Sequence, residues 1–462
     1  EAEAAREAEA AAEAAAAIAR REVEAAADMA APEIGVRVAA ITADLSDIVY
    51  LEDVQNEVKM RGLVPVANGT TADLRWCVAD GVTVNDEGLP SLVRYISVTG
   101  VRLVAPFDPL LNQTRLLNSV GKCSPALLSA GAGGGGAGGG LVASVGGGSR
   151  SRNNNREPDI YCHSGVLQMA TDLLDELEPL ITAMPATGEI RLVGHSFGGS
   201  TLTLLRAMLS NKFGMTPEAA VRKVHPRISL FSFGCVPIIK FGFNGPNTEG
   251  MNPSDFVSCN SDEFPKQLAE RHCNRIGLGG DDVHDFALPW DPIPRMLTRE
   301  DPWGDFMRGQ PKLVETIEQR VGFFTPLLRG GWLYPTDLNV AAGERGAPPP
   351  PPAVVEPGPD YGHIGTMHVI VPSRAGPSML HIPATAAAKV LKSQVDVNEI
   401  NGGFGPGPQD FIRCYLSHFG YARELAKLEK SAAEAASASD STNGPIYNAN
   451  RQFGADILSP EF

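Results

Sequence analysis

Apolar positions along the chain repeat with two periods, and the places where one gives way to the other outline the elements. Ile190 to Val193 is a short apolar run suited to a buried strand, and from Thr201 to Met208 a helix begins with Leu202, Leu205 and Leu209 on one face. The same pattern predicts an amphipathic helix over Val36 to Leu51. Another starts after the segment 161–165 and runs to about Met184, with Val166, Leu173, Leu177, Leu180 and Ile181 on one face. Pro179 is expected to kink that helix, because it has no N–H to donate. Residues 73–101 alternate instead: Leu74 to Ala79 and Leu92 to Val98 read as strands, with a turn at Asp80-Gly81. Ile228 to Phe233 and Met367 to Val371 are further near-continuous apolar runs. Apolar strands separated by helices imply a mostly parallel or mixed sheet covered on both faces, so the expected fold class is α/β.

Other stretches lack either period. Residues 1–35 are rich in Ala and Glu and read as a helical arm with little to bury. The span 128–150 contains a run of Gly, Ala, Ser and Val that cannot repay its ordering entropy and reads as a flexible loop. A phosphate-cradling role does not suit it, since no helix and lysine follow. Residues 239–283 and 296–360, the latter with prolines from Pro348 to Pro352, read as irregular insertions at the sheet edge, and 429–462 as a loose tail. One large domain over 36–428 is therefore expected.

Composition narrows the function classes. The formal charge of −15 argues against a nucleic-acid partner and opposes adsorption to strongly anionic lipid, while neutral lipid carries no such penalty. No run reaches the roughly 18 apolar residues of a membrane span, and the acidic, Ala-rich start is unlike a signal peptide, so any membrane contact is expected to be peripheral. The seven cysteines are odd in number and lack metal-ligand spacing, which reads as free or buried thiols; pairing of Cys259 with Cys273 stays open.

The chemistry centres on Gly194-His195-Ser196-Phe197-Gly198-Gly199, a Gly-x-Ser-x-Gly nucleophile elbow placed between an apolar strand and a helix. Ser196 is the nucleophile candidate, and the helix N-terminus beside it suits a developing oxyanion. A serine needs a histidine base and a carboxylate to orient that histidine, in the chain order Ser, Asp or Glu, His. Asp291, on a proline-bounded loop after Phe286 to Trp290, is the preferred acid, with Asp281, Asp282 and Asp285 as competitors. Among the later histidines, His368 lies in an apolar strand and reads as core, and His381 sits in an irregular run. Local sequence does not separate His363 from His418.

Six segments taken together, His163-Ser164-Gly165, the elbow, Ser232 to Pro237, Asp291 to Arg295, Tyr361 to Gly365 and Ser417 to Tyr421, resemble the class 3 lipases in order and setting over residues 36 to 428. The resemblance implies an α/β-hydrolase-like fold and a serine lipase that cleaves fatty acyl esters of glycerolipids. It implies Asp291 as the acid and His418, in a His-x-x-Tyr context, as the base, with His363 structural and kept as runner-up. It also implies an oxyanion hole made by the backbone N–H groups of Phe197 and Val101, and a lid at 102–118. No metal or other cofactor is implied. Asp73 to Asp80 and Arg94 to Gly100 are similar to the plastid lipases of algae and plants. That implies a galactolipid of the monogalactosyldiacylglycerol type as substrate and peripheral contact with plastid membranes, with no transit peptide read in this chain. The alternatives are a triacylglycerol lipase, a phospholipase or a soluble-ester esterase or acyltransferase of the same fold, in the cytosol or secreted, or a catalytically silent lipid-binding scaffold.

Overall fold

A computed structural model describes residues 35–84, 89–100, 125–128, 159–242, 256–258, 273–274, 276–279, 282–288, 291, 293–295, 361–371, 377–383 and 418–440. In chain order the elements are α1 (Val36–Ile48), α2 (Val54–Met60), β1 (Val64–Thr71), β2 (Leu74–Val84), β3 (Pro90–Val98), β4 (Pro125–Leu127), β5 (Asp159–His163) and α3 (Ser164–Thr182). There follow β6 (Glu189–His195), α4 (Phe197–Phe213), α5 (Pro217–Val221), β7 (Arg227–Phe233), β8 (Ile239–Gly242), β9 (Phe256–Ser258), β10 (Val283–Ala287), β11 (Thr366–Val371), β12 (Ser378–Pro383) and α6 (His418–Asp440).

Eight strands form the main sheet in the order β1-β2-β3-β6-β7-β10-β11-β12. The central pairings, β3·β6, β6·β7, β7·β10 and β10·β11, are parallel, and antiparallel strands close both edges. Parallel strands need crossovers, and helices supply them on both faces. One face carries α3 and α4 over a core that includes Leu192, Leu230, Leu173, Leu177 and Leu205. The other carries α1 and α6 over Val193, Phe231, Phe233, Phe286, Tyr421 and Leu425. Neighbours Leu192 and Val193 thus feed opposite cores, which is why the strand reads as continuously apolar. This is an α/β-hydrolase fold.

Several expectations change. Asp80-Gly81 is not a turn, because β2 runs through it. Asp80 lies opposite Arg94 on β3 and receives its Nε and Nη2 at 2.7 and 2.6 Å, so the cross-strand ion pair holds the backbone extended. The turn falls instead at Ala72-Asp73, where φ is 49° and 67°, joining β2 to a strand, β1, that the sequence reading does not contain. His381 belongs to β12 and not to an irregular run, and part of 239–283 is regular, since β8 and β9 join β4 and β5 in a four-stranded second sheet. Helix α6 continues to Asp440, beyond the expected start of a loose tail. Cys77, Cys162 and Cys235 carry free thiols. The 1–34 arm, the 102–118 segment, the Gly-rich run after Leu128, the 296–360 insertion and Cys259 lie outside the described residues.

Candidate active site

Ser196 sits between β6 and α4 with φ 55° and ψ −130°, a conformation that L-residues rarely adopt. Such a backbone costs about 1–3 kcal/mol and persists only when its surroundings over-determine it. Here they do. The Ser196 N–H donates to the Phe233 carbonyl at the end of β7 (2.9 Å), and the Ser196 carbonyl accepts the Ser200 N–H inside the helix (3.2 Å). Its side chain occupies the N-cap position without capping the helix, and among the described residues the buried Oγ has no hydrogen-bond partner. The hydroxyl is therefore available for chemistry, next to the α4 N-terminus and its unsatisfied N–H groups.

Phe197, the first residue of α4, is buried, and the end of β3 presses against it. A Cβ on Gly100 would lie 2.7 Å from Ser196 Cβ and 3.2 Å from Phe197 N, so glycine is what lets the strand end approach the elbow. Val101, the expected second oxyanion donor, lies outside the described residues.

Asp291 follows β10 by four residues and is buried. Its Oδ1 accepts the Ile293 N–H (2.9 Å) and its Oδ2 accepts the Tyr421 hydroxyl (2.6 Å), so donors on both oxygens fix the carboxylate plane. Burial, and after it the Asp291 charge, pushes the Tyr421 phenol well above its ordinary range, so it stays a donor. Tyr421 also accepts the Leu288 N–H (3.2 Å), which ties α6 to the loop that carries Asp291. A side chain at Gly234 would strike both the Asp291 carboxylate and the Tyr421 hydroxyl, and Gly234 follows the Phe233 that holds Ser196. Ser196, Asp291 and Tyr421 thus converge at the carboxyl ends of β6, β7 and β10, where open α/β sheets place their ligands. His418 is the first residue of α6, one helical turn before Tyr421; its side chain lies outside the described part.

The competitors have other partners. Asp282 lies at the opposite end of β10, paired with Arg227 (2.8 Å) and Arg206 (3.8 Å). Asp285 accepts from the Ser232 hydroxyl and the Cys235 thiol (3.4 Å), and its Oδ2 lies 3.2 Å from His363 Nδ1. His363 is buried with its Nε2 donating to the Pro294 carbonyl (2.6 Å), so both ring nitrogens are engaged in bracing the Asp291 loop. Asp281 is not among the described residues. Cys235, Asp285 and His363 have donor atoms within 4.8 Å of one another, close enough to hold a metal ion. Burial and the Asp285 charge hold the Cys235 thiol well above its usual range, in the protonated donor form.

Residues 141–247 match the family model of the class 3 lipases. The elbow segment is class 3 lipase-like. The matched stretch holds β5, α3, β6, α4, α5, β7 and β8, while Asp291 and His418 lie beyond it. In fold the chain is similar to the Rhizomucor miehei lipase in its propeptide complex (11% identity, 80% of each chain covered, TM-score 0.36). It is also similar to a triacylglycerol lipase from Penicillium expansum (13% identity, 74% of this chain and 84% of that one, TM-score 0.32). The Lip2 lipase from Yarrowia lipolytica is a further similar structure (12% identity, 55% of this chain and 72% of that one, TM-score 0.28). No curated protein sequence matches the chain.

Two participants are given no role in the sequence reading. Tyr421 enters it only as the end of a His-x-x-Tyr motif, and its grip on Asp291 spans 130 residues of sequence, which no local pattern can show. Tyr50, whose hydroxyl meets His195 Nδ1 (3.0 Å) and the Gly100 N–H (2.6 Å), carries no motif at all.

Proposed function

We propose that the chain is a serine lipase that hydrolyses fatty acyl esters of glycerolipids. The observation that carries the reading is Ser196, held at positive φ between strand and helix with its hydroxyl unused for capping, at the same end of the sheet as an anchored carboxylate, Asp291. In this reading Ser196 Oγ attacks the ester carbonyl while His418 takes its proton. The N–H groups of Phe197 and Val101 stabilise the tetrahedral oxyanion, and Asp291 orients His418 and balances its charge. The C–O bond to the glycerol breaks as His418 returns the proton to the leaving alcohol, and water then cleaves the acyl-enzyme to release the fatty acid.

The proposed substrate is a neutral membrane galactolipid of the monogalactosyldiacylglycerol type, met at a plastid membrane surface by peripheral contact. The formal charge of −15 supports a neutral headgroup, since anionic lipid would repel the protein. Among the described residues no helix is long and apolar enough to cross a membrane. Fatty-acid release from mixed micelles tests the proposal: galactolipid should be cleaved faster than phosphatidylglycerol at low salt. Faster cleavage of the anionic lipid would overturn the headgroup assignment and leave the lipase assignment standing.

A further inference from the structure

The Tyr50 hydroxyl stands between the chain leaving β3 and the nucleophile elbow. Tyr50 follows α1, where its N–H closes a turn on the Asp47 carbonyl (3.1 Å), and its ring is half-buried against the α1/α6 core. The hydroxyl oxygen accepts the Gly100 N–H at 2.6 Å and lies 3.0 Å from His195 Nδ1. An arrangement that uses every group has the phenol proton donated to Nδ1, which places the His195 proton on Nε2. His195 immediately precedes Ser196, so this end of the link holds the elbow. Gly100 lies two residues after β3, so the other end of the link holds the chain where it leaves that strand.

The remaining contacts show why this link matters. Thr99, one residue earlier, is fixed to β2 by its N–H on the Arg75 carbonyl (2.9 Å) and by its Oγ1 accepting the Arg75 N–H (3.0 Å). Gly100 has no side chain, and a Cβ added there would crowd Ser196 Cβ (2.7 Å) and Phe197 N (3.2 Å). The sheet ladder therefore holds the strand through Thr99, and Tyr50 takes over the hold at Gly100. Resting on the serine-hydrolase reading, we infer that Tyr50 is a positioning residue that clamps the strand end at Gly100 to the nucleophile elbow, beside the Phe197 N–H that serves as an oxyanion donor. Tyr50 contacts neither substrate nor reacting atoms. It acts through Gly100 and His195.

Oxyanion donors act on the transition state, so a loosened clamp lowers kcat and leaves KM nearly unchanged. The test is Tyr50→Phe, which removes the hydroxyl and keeps the ring. Kinetics are measured on a soluble p-nitrophenyl ester, with active sites counted by fluorophosphonate labelling so that only folded enzyme is compared. Inhibition by an alkylboronic acid, whose serine adduct is tetrahedral and anionic, is measured on the same preparations. The expected result is a fall in kcat per labelled site of about 10- to 100-fold, less than the loss of a whole oxyanion donor. Boronate affinity should weaken in parallel, with KM within about twofold of wild type. Unchanged kcat per site and unchanged boronate affinity overturn the clamp, and so does a loss confined to the number of labelled sites, which marks a purely structural tyrosine. A wild-type protein that neither labels nor turns over overturns the hydrolase reading itself, and the clamp with it.

Discussion

At the scale of single residues, the strain at Ser196 is the feature most closely bound to chemistry. Positive φ is tolerated by glycine and costs other residues, so the usual order of Ala over Gly should reverse at this position. Ser196→Gly is expected to be more stable than Ser196→Ala by about 1 kcal/mol in denaturant unfolding, although both lose activity. Equal stability, or the ordinary order, would mean that the elbow is not strained. Tyr421 offers a second residue-scale prediction. Tyr421→Phe leaves Asp291 Oδ2 without one donor and the buried Leu288 N–H without its acceptor. It should destabilise the protein by about 1–3 kcal/mol and reduce hydrolysis; thermal melting and turnover on the same preparation check both. The elbow is legible in the sequence because its determinants are local: an apolar strand, small residues around a serine, and a helix. The grip of Tyr421 on Asp291 and the link from Tyr50 to Gly100 depend on residues that only the folded sheet brings together.

At the scale of elements, two buried titratable groups tie stability to pH in opposite directions. On β11, His368 Nε2 meets His284 Nδ1 (3.1 Å) on β10, and its Nδ1 meets His381 Nδ1 (2.7 Å) on β12, while Phe286 stacks on its ring at 4.7 Å. Burial, then the neighbouring His284 and His381, holds His368 well below the ordinary histidine range, so it folds neutral. The unfolded chain binds the proton first as pH falls, so stability is full above about 6.5 and declines below it. Thermal melts from pH 7.5 to 5 should show a falling midpoint, and His368→Phe should flatten that slope; an unchanged slope would remove His368 as its source. In α1 the Asp47 carboxyl is raised to about 8 by burial and then by Asp44, with Arg61 offsetting part of the shift. An acid raised on folding opposes stability as pH climbs from its unfolded value through its folded one. Asp47→Asn should therefore raise the melting midpoint more at pH 9 than at pH 4. The error at Asp80-Gly81 belongs to this scale too: a dipeptide favoured in turns is overridden by an ion pair to the neighbouring strand, and propensity carries no record of that partner.

At the scale of the whole molecule, the layering is legible because burial on both faces of a central sheet leaves near-continuous apolar runs. Leu192 and Val193 show it, sending adjacent side chains into separate cores. The edge strand β1 is not legible. Its exposed and half-buried positions alternate with polar and small residues and an internal Asn68-Gly69, so it lacks the apolar signal of the central strands. The contacts that bear on the choice between His363 and His418 also form only at this scale. The folded chain places His363 against Asp285 and Pro294, and it brings the helix that begins with His418 onto Asp291 through Tyr421.

The most direct measurement is fatty-acid release from galactolipid, phospholipid and triacylglycerol micelles by the wild-type protein beside Ser196→Ala, His418→Ala and His363→Gln, each verified as folded by its melting midpoint. The account predicts release by wild type and by His363→Gln, and losses of at least about 10³-fold in Ser196→Ala and His418→Ala. Full activity in folded His418→Ala, or release that survives Ser196→Ala, would contradict it.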